Sequence, residues 1–244
     1  MRLLALDRSG PDAMAREAAW LARCVGRGEW APLFDEDIVE LGQRLERIRL
    51  EPGGLVFAQG AISDAVWILR SGRVELSRRD GKRRLIVQIL HPGDVDGDIG
   101  LILHVPFPYS AHAIDHVEVL RLSAEDFEWL IAKRPALARR WLTSVAARLM
   151  SAEHRILQLA GGDLKTQLAN LLLDEERDGS VALPQESLAA LLGVRRPSLN
   201  KVLRDLARAG IVELSYRCVD IVDRGALARV AGRATDRPPI PSAS

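Results

Sequence analysis

Cysteine is scarce: the 244 residues hold two, Cys24 and Cys218, far apart in the chain. Two thiolates cannot build a four-sulfur iron–sulfur or zinc site, so no iron–sulfur cluster is expected and both read as reduced structural thiols. Long apolar runs are missing too. Nothing approaches the roughly 18–20 residues that a membrane span needs, and residues 1–10 lack a basic flank followed by an apolar core. The chain is therefore expected to be cytoplasmic with no membrane partner. Charge of one sign is also lacking, since the net charge is +1, which gives no global sign of nucleic-acid binding. Catalytic signatures are absent as well: no Ser-His-Asp order with an elbow, no glycine loop before a lysine, no histidines at metal spacing. Asp94, Asp96 and Asp98 alternate, but no glutamate follows at the twelfth position of a calcium hand, so the run reads as turn chemistry. Neither an enzyme nor a metal site is expected.

What is present is enough apolar sequence, 48% hydrophobic against 27% charged, for two modest cores and a connector. Residues 1–30 read as a helical extension broken at Ser9-Gly10-Pro11, followed by a short helix near residues 35–45. From Ile48 to Leu122, turn signals at Pro52-Gly53-Gly54, Gly60, Ser71-Gly72, Asp80-Gly81 and Pro92-Gly93-Asp94 punctuate short Val/Ile/Leu-rich runs. That spacing predicts a β-barrel or jelly roll over 31–123, with Asp80-Gly81 its clearest hairpin. A helical region over 124–160, bent near Pro135, carries Leu137, Trp141, Val145, Leu149, Ala152, Ile156 and Leu159 at intervals of three and four. This is the pattern of a seam against a partner helix, so a homodimer is expected. Gly161, Gly162 and Asp163 break the rod and read as a hinge. Residues 164–232 read as helices followed by two short strands, and 233–244 as a disordered tail.

Residues 185–204 carry the strongest motif. Leu188, Leu192, Leu199 and Val202 supply a small core between two crossing helices. Ala189 is small at their closest approach, and Gly193 suits a left-handed turn. Pro197 belongs in the first turn of a helix, which therefore starts near Arg196. Arg195, Arg196, Pro197, Ser198, Asn200, Lys201 and Arg204 then line the end that enters the major groove of double-stranded DNA in a helix-turn-helix. Arginine and lysine donate to guanine, while Ser198 and the helix N-terminus suit phosphate. Over 185–217 six cations face three acids, a local +3, and the strands after Gly210 supply a wing. A solvated helical hairpin used for protein docking is the alternative, and the steep salt dependence of phosphate contacts separates the two.

With these elements in this order, the chain resembles the Crp/Fnr family of bacterial transcription regulators over about residues 32–222. The resemblance rests on Leu50-Glu-Pro-Gly-Gly-Leu-Val-Phe-Ala-Gln-Gly60, Ile68-Leu-Arg-Ser-Gly-Arg-Val-Glu-Leu76, Pro92-Gly-Asp94 with Gly97-Asp-Ile-Gly-Leu101, and the helix-turn-helix. It implies an α+β chain: an N-terminal jelly-roll barrel of cyclic-nucleotide-binding type, a long dimerisation helix, and a C-terminal winged helix reading a pseudo-palindromic operator. RNA polymerase becomes a candidate partner. The family's recognition helix carries Arg-Glu-Thr-Val-x-Arg. Here Arg196 and Lys201 keep both cationic positions, but Pro197 replaces the base-reading glutamate and implies a shifted base code.

Members that bind cAMP use a glutamate for the ribose hydroxyl and an Arg-Ser pair for the cyclic phosphate. In the corresponding stretch Gly97, Asp98, Ile99 and Gly100 put a shorter acid in the glutamate position. Ser110 matches the serine, but Tyr109 stands where arginine should. Ala152 and Glu153 fall where a Thr-Ser pair would meet the base. Between Arg84 and Arg121 there is no lysine or arginine, so a buried phosphate would lack a countercharge there. The pocket is expected to be degenerate, a cAMP-dependent regulator being the alternative. Haem, for which His104, His112 and His116 are candidate ligands, is not expected, because isolated histidines are usually surface or hydrogen-bonded residues.

Overall fold

The computed structural model describes residues 11–25, 32–81 and 83–233, without the side chains of 11–13, 80, 83, 159 and 160. They form two compact units that divide between Leu149 and Met150, inside one long helix.

The first unit begins with α1 (Pro11–Cys24) and α2 (Asp35–Arg44). The strands follow: β1 (Leu45–Leu50), β2 (Leu55–Phe57), β3 (Ala65–Ser71), β4 (Val74–Asp80), β5 (Arg83–Leu90) and β6 (Val95–Asp96). After α3 (Asp98–Leu103) come β7 (Ser110–Ala113), β8 (Val117–Ser123), α4 (Ala124–Lys133) and the first part of α5 (Pro135–Ala160). Two four-stranded antiparallel sheets, ordered β1-β8-β3-β6 and β2-β7-β4-β5, make the expected jelly roll. The run Ala65-Val66-Trp67-Ile68-Leu69 is continuously apolar because its sheet is covered on both faces. Leu69 and Val119 join Phe57, Val74 and Leu76 between the sheets. Val66, Ile68, Leu120 and Leu122 lie instead under helices, with Leu21, Phe127 and Trp141. The Asp80-Gly81 hairpin is present, with Asp80 opposite Arg83.

The described part of the N-terminal extension packs onto this unit. Glu17, only 8% exposed, accepts bonds from Arg47 at 2.7 Å and Arg70 at 2.6 Å. Arg140 of α5 donates to the Ala22 carbonyl at 2.7 Å, satisfying an orphan at the C-terminus of α1. Gly42 admits the crossing of α1, since a Cβ there would lie 3.1 Å from the Met14 carbonyl oxygen. The expected helix over 1–10 lies outside the described residues.

The helical region after β8 is two helices separated at Arg134, where the sequence suggested one bent rod. The expected seam along it also needs correction. Leu137 and Trp141 are each 6% exposed and belong, with half-buried Val145, to the core of their own unit. Leu149 and Ile156 are exposed, together with Leu142, Met150 and Leu157. At 3.6 residues per turn, that exposed row runs from about a sixth to half a turn around the helix from Trp141. One row read from the sequence is thus two faces. Ala152 is exposed, and the side chain of Leu159 lies outside the described residues.

The second unit contains the rest of α5, then α6 (Leu164–Glu175), β9 (Ser180–Val181), α7 (Gln185–Leu191), α8 (Arg196–Arg208), β10 (Val212–Ser215), β11 (Cys218–Ile221) and α9 (Arg224–Val230). The helix break falls at Gly161, Gly162 and Asp163. Gly162 takes a φ of 82°, and Asp163 caps α6 by accepting from the Thr166 N–H at 2.9 Å. Two elements went unread in the sequence. β9 adds a third strand to the wing, giving the order β10-β11-β9, and α9 packs against α6. The tail expectation is corrected at its first residue: Arg233 bonds Asn170 at 2.6 Å and Asp174 at 2.8 Å. Residues 234–244 lie outside the described residues.

Candidate functional site

The helix-turn-helix is built as its residues dictate. Leu188, Leu199, Leu203 and Leu206 have no exposed surface, and Ala189 and Leu191 are nearly as buried. Leu192 and Val202, expected in this core, are only partly buried; Leu191, one residue earlier, and Leu203, one residue later, take their places. Gly193 adopts a φ of 65°, and Val194 donates back to the Ala189 carbonyl at 3.0 Å, closing the turn. Helix α8 starts at Arg196 with Pro197 in its first turn, where no N–H is missed.

Arg195, Arg196, Pro197, Ser198, Lys201 and Arg204 are all exposed on α8 or at its start. Among the described residues, none of the four cations has an acidic partner, whereas Arg208 further along pairs with Asp205. Arg204 only donates to the Asn200 carbonyl at 3.2 Å. Asn200 is partly buried, and its side-chain oxygen has no partner among the described residues. A helix end with four uncompensated cations and free hydroxyl and amide groups can meet a polyanion and still present hydrogen-bonding groups to what lies between its charges.

The residues singled out for an effector sit around β6, α3 and β7. Gly97 has a φ of 90°, and a Cβ there would fall 2.5 Å from the Ala65 carbonyl oxygen, so only glycine fits. That tight passage drives Asp98 inward, where it has no exposure. Asp98 is not free to receive a hydroxyl. Trp141 Nε1 donates to its Oδ2 at 2.8 Å, Arg148 Nη1 donates to Oδ1 at 3.1 Å, and Arg148 Nη2 bonds Oδ2 directly. The Ile99 N–H adds a fourth bond at 2.9 Å. Arg148 also donates to the Val95 carbonyl at 3.0 Å. Ile99 is 47% exposed, Gly100 lies against Ser63, and the Ser110 hydroxyl accepts the Gln59 N–H at 2.8 Å.

Tyr109 holds a second, half-buried carboxylate, donating to Asp96 Oδ2 at 2.9 Å, while the Gly97 N–H donates to Oδ1 at 2.6 Å. Burial pushes Asp96 above the ordinary carboxylate range against those two bonds. Burial, then the negative charge of Asp96, pushes the Tyr109 phenol upward, so it stays protonated as a donor. The region thus sets one fully buried and one half-buried acid beside one guanidinium. Ala152 and Glu153 are exposed on the stretch of α5 that belongs to the second unit.

Sequence reasoning missed Arg148, Trp141 and Asp96 as members of this cluster. It sought a cation between Arg84 and Arg121, and the fold supplies one from α5. A signal existed: Leu137, Trp141 and Arg148 share one helical face, and an arginine on an otherwise apolar face requires a buried acid. Among the described residues, no group of three or more His, Cys, Asp or Glu side chains could hold a metal ion. No described helix is long and apolar enough to cross a membrane.

Comparison with known proteins agrees with both halves. The family model of the cyclic nucleotide-binding domain matches residues 47–134, and that of the Crp-like helix-turn-helix domain matches residues 166–230. The HTH-type transcriptional regulator Cmr of Mycobacterium tuberculosis is 44% identical over 216 residues, covering 88% of each chain. The cyclic AMP receptor protein of Thermus thermophilus is 31% identical, over 82% of this chain and 97% of its own. A crystal structure of a CRP-family transcriptional regulator, also from Thermus thermophilus, is similar with a TM-score of 0.66 and 25% identity, covering 77% of this chain and 98% of that one.

Proposed function

The chain belongs to the Crp/Fnr family of bacterial transcription regulators, and we propose that it binds a pseudo-palindromic operator as a homodimer without cAMP as its switch. In this reading Arg195, Arg196, Ser198, Asn200, Lys201 and Arg204 meet each half-site, with half-sites about one helical turn apart. The exposed row Leu142, Leu149, Met150, Ile156 and Leu157 packs against its copy on a second chain. The break at Gly161, Gly162 and Asp163 lets the reading helix pivot at the end of α5. The protein works in the cytoplasm, performs no catalysis itself, and acts on RNA polymerase at the promoters it occupies.

The observation that carries the effector reading is the saturation of Asp98 by Arg148, Trp141 and the Ile99 amide. A ribose hydroxyl would have to displace those bonds. A cyclic phosphate would find Tyr109 and the half-buried Asp96 where the resemblance calls for an arginine. The name of the Thermus thermophilus relative and the matched barrel favour the second reading, in which cAMP takes Arg148 from Asp98. Calorimetric titration with cAMP and cGMP, beside DNA binding at fixed salt, separates the two. No heat and unchanged DNA affinity are expected; a tenfold rise in affinity with cAMP would establish the second reading.

A further inference from the structure

Residues 78–84, Arg-Arg-Asp-Gly-Lys-Arg-Arg, hold five cations and one acid, so this short stretch is more positive than the whole chain of net +1. No seven-residue stretch lying outside it has more than three cations. The fold sets that charge on a projecting ribbon. Strand β7 pairs with β4 only as far as Ser77, opposite Ser110. Strands β4 and β5 continue together, with Arg78 opposite Leu85, Arg79 opposite Arg84 and Asp80 opposite Arg83. Those three pairs carry the hairpin roughly 10 Å further, with no third strand beside them among the described residues. A register shift between Leu76 and Ser77 bends and twists the ribbon at its base, and Gly81, at a φ of 58°, turns the chain at its tip.

Arg84 is held at the base. It donates through Nε at 3.1 Å to Glu75, a carboxylate only 4% exposed. Arg78 and Arg79 are exposed and have no ion-pair partner among the described residues. Successive strand residues face opposite ways, so these two arginines charge both faces of the ribbon. An acidic patch on a folded protein would meet one face only. A DNA groove differs, because the major groove, about 12 Å wide, admits a two-stranded ribbon between two rows of phosphates. Arginine, which supplies four of the five cations, pairs with phosphate through two parallel bonds.

We propose that the β4–β5 ribbon is a second DNA-contacting surface, in which Arg78 and Arg79 pair with phosphates of the duplex that flanks the half-sites. This rests on DNA binding by α8. With the operator already held, flanking phosphates are tethered to the same molecule, and meeting them is an intramolecular step. The contact adds affinity that depends on duplex length and reads no bases, because phosphates are the same at every step.

The test compares the full-length chain with Arg78→Gln/Arg79→Gln and Arg78→Lys/Arg79→Lys on two labelled duplexes. One carries a site that the protein selects from a random pool and ends at the outer edges of the half-sites. The other adds about two helical turns of unselected sequence on each side. The glutamine variant should melt with the unaltered chain, since neither arginine has an ion pair to lose. It should bind the short duplex as the unaltered chain does. On the long duplex it should bind about threefold to tenfold more weakly, with a log affinity against log salt slope flatter by about 0.9 for each phosphate no longer neutralised. The lysine variant keeps the charge, so its slope on the long duplex should match that of the unaltered chain. Unchanged affinity of the glutamine variant for the long duplex overturns the proposal, as does a loss of equal size on both duplexes or one that comes with a lowered melting temperature. A glutamine variant that binds both duplexes normally but no longer recruits purified RNA polymerase overturns it in favour of a protein partner. An Arg196→Ala/Lys201→Ala variant run in parallel separates failure of the ribbon from failure of α8 as the reader: if that variant holds the short duplex as tightly as the unaltered chain, the underlying reading falls.

Discussion

At Asp98 a carboxylate without solvent contact is stable because three side-chain bonds and one backbone bond replace its water. Removing the guanidinium leaves that charge buried and uncompensated. Arg148→Ala is expected to destabilise the first unit by about 3 kcal/mol, the lower end for a broken buried pair because Arg148 keeps 30% of its side-chain surface. Urea unfolding measures this, and Arg148→Met with Asp98→Leu should recover most of the loss. Asp96 works in the opposite sense. Burial raises its native pKa above the unfolded value, so the folded state holds that proton more tightly. Its contribution is therefore full below the unfolded carboxylate pKa of about 3.9 and is lost as pH rises through the raised native value. Against Asp96→Asn, the wild-type melting temperature should fall further as pH rises from about 4 to 7; parallel curves would contradict this. Of these residues only Asp98 and Tyr109 were legible in the sequence, through motif position. Their partners lie up to fifty residues away, and chain separation carries no record of which side chains a fold will bring into contact.

Helix α5 shows why an apolar period can be read correctly and assigned wrongly. Intervals of three and four residues establish a helix with apolar surface. They do not say how many partners share it, because rows a quarter-turn apart merge into one list. Trp141 fills the core of its own unit, so Trp141→Ala should cost about 3–5 kcal/mol of stability. The row at Leu149 and Ile156 is 60% and 64% exposed, so Leu149→Glu/Ile156→Glu should leave the melting of the barrel unchanged and convert the proposed dimer to monomer by sedimentation. The turn-helix of α7 and α8 was legible almost throughout, because Gly193 marks a left-handed turn that few residues tolerate and Pro197 is confined to the first turn of a helix. The two-residue strand β9 had no such mark, since its pairing partner in β11 lies nearly forty residues on.

Over the whole molecule, the charge that matters is local. A chain of net +1 nevertheless leaves four cations on or beside α8 without an acidic partner among the described residues, so DNA affinity should fall steeply with salt, and Arg196→Ala/Lys201→Ala should reduce the slope by about 0.9 for every phosphate those two side chains neutralise. Anisotropy titrations at three salt concentrations measure it. The order of elements was legible because turn residues, helical period and glycine breaks change character at each boundary. The division into units was not: it falls inside α5, between Leu149 and Met150, where no breaker stands. That position has a consequence for synthesis. A ribosome delivers the eight strands of the barrel by Ser123, yet Asp98 has no counter-ion and the helix-side core no Trp141 until translation has passed Arg148. A nascent barrel waits on some twenty-five further residues for these contacts, and a fragment cut at the last strand would lack them permanently.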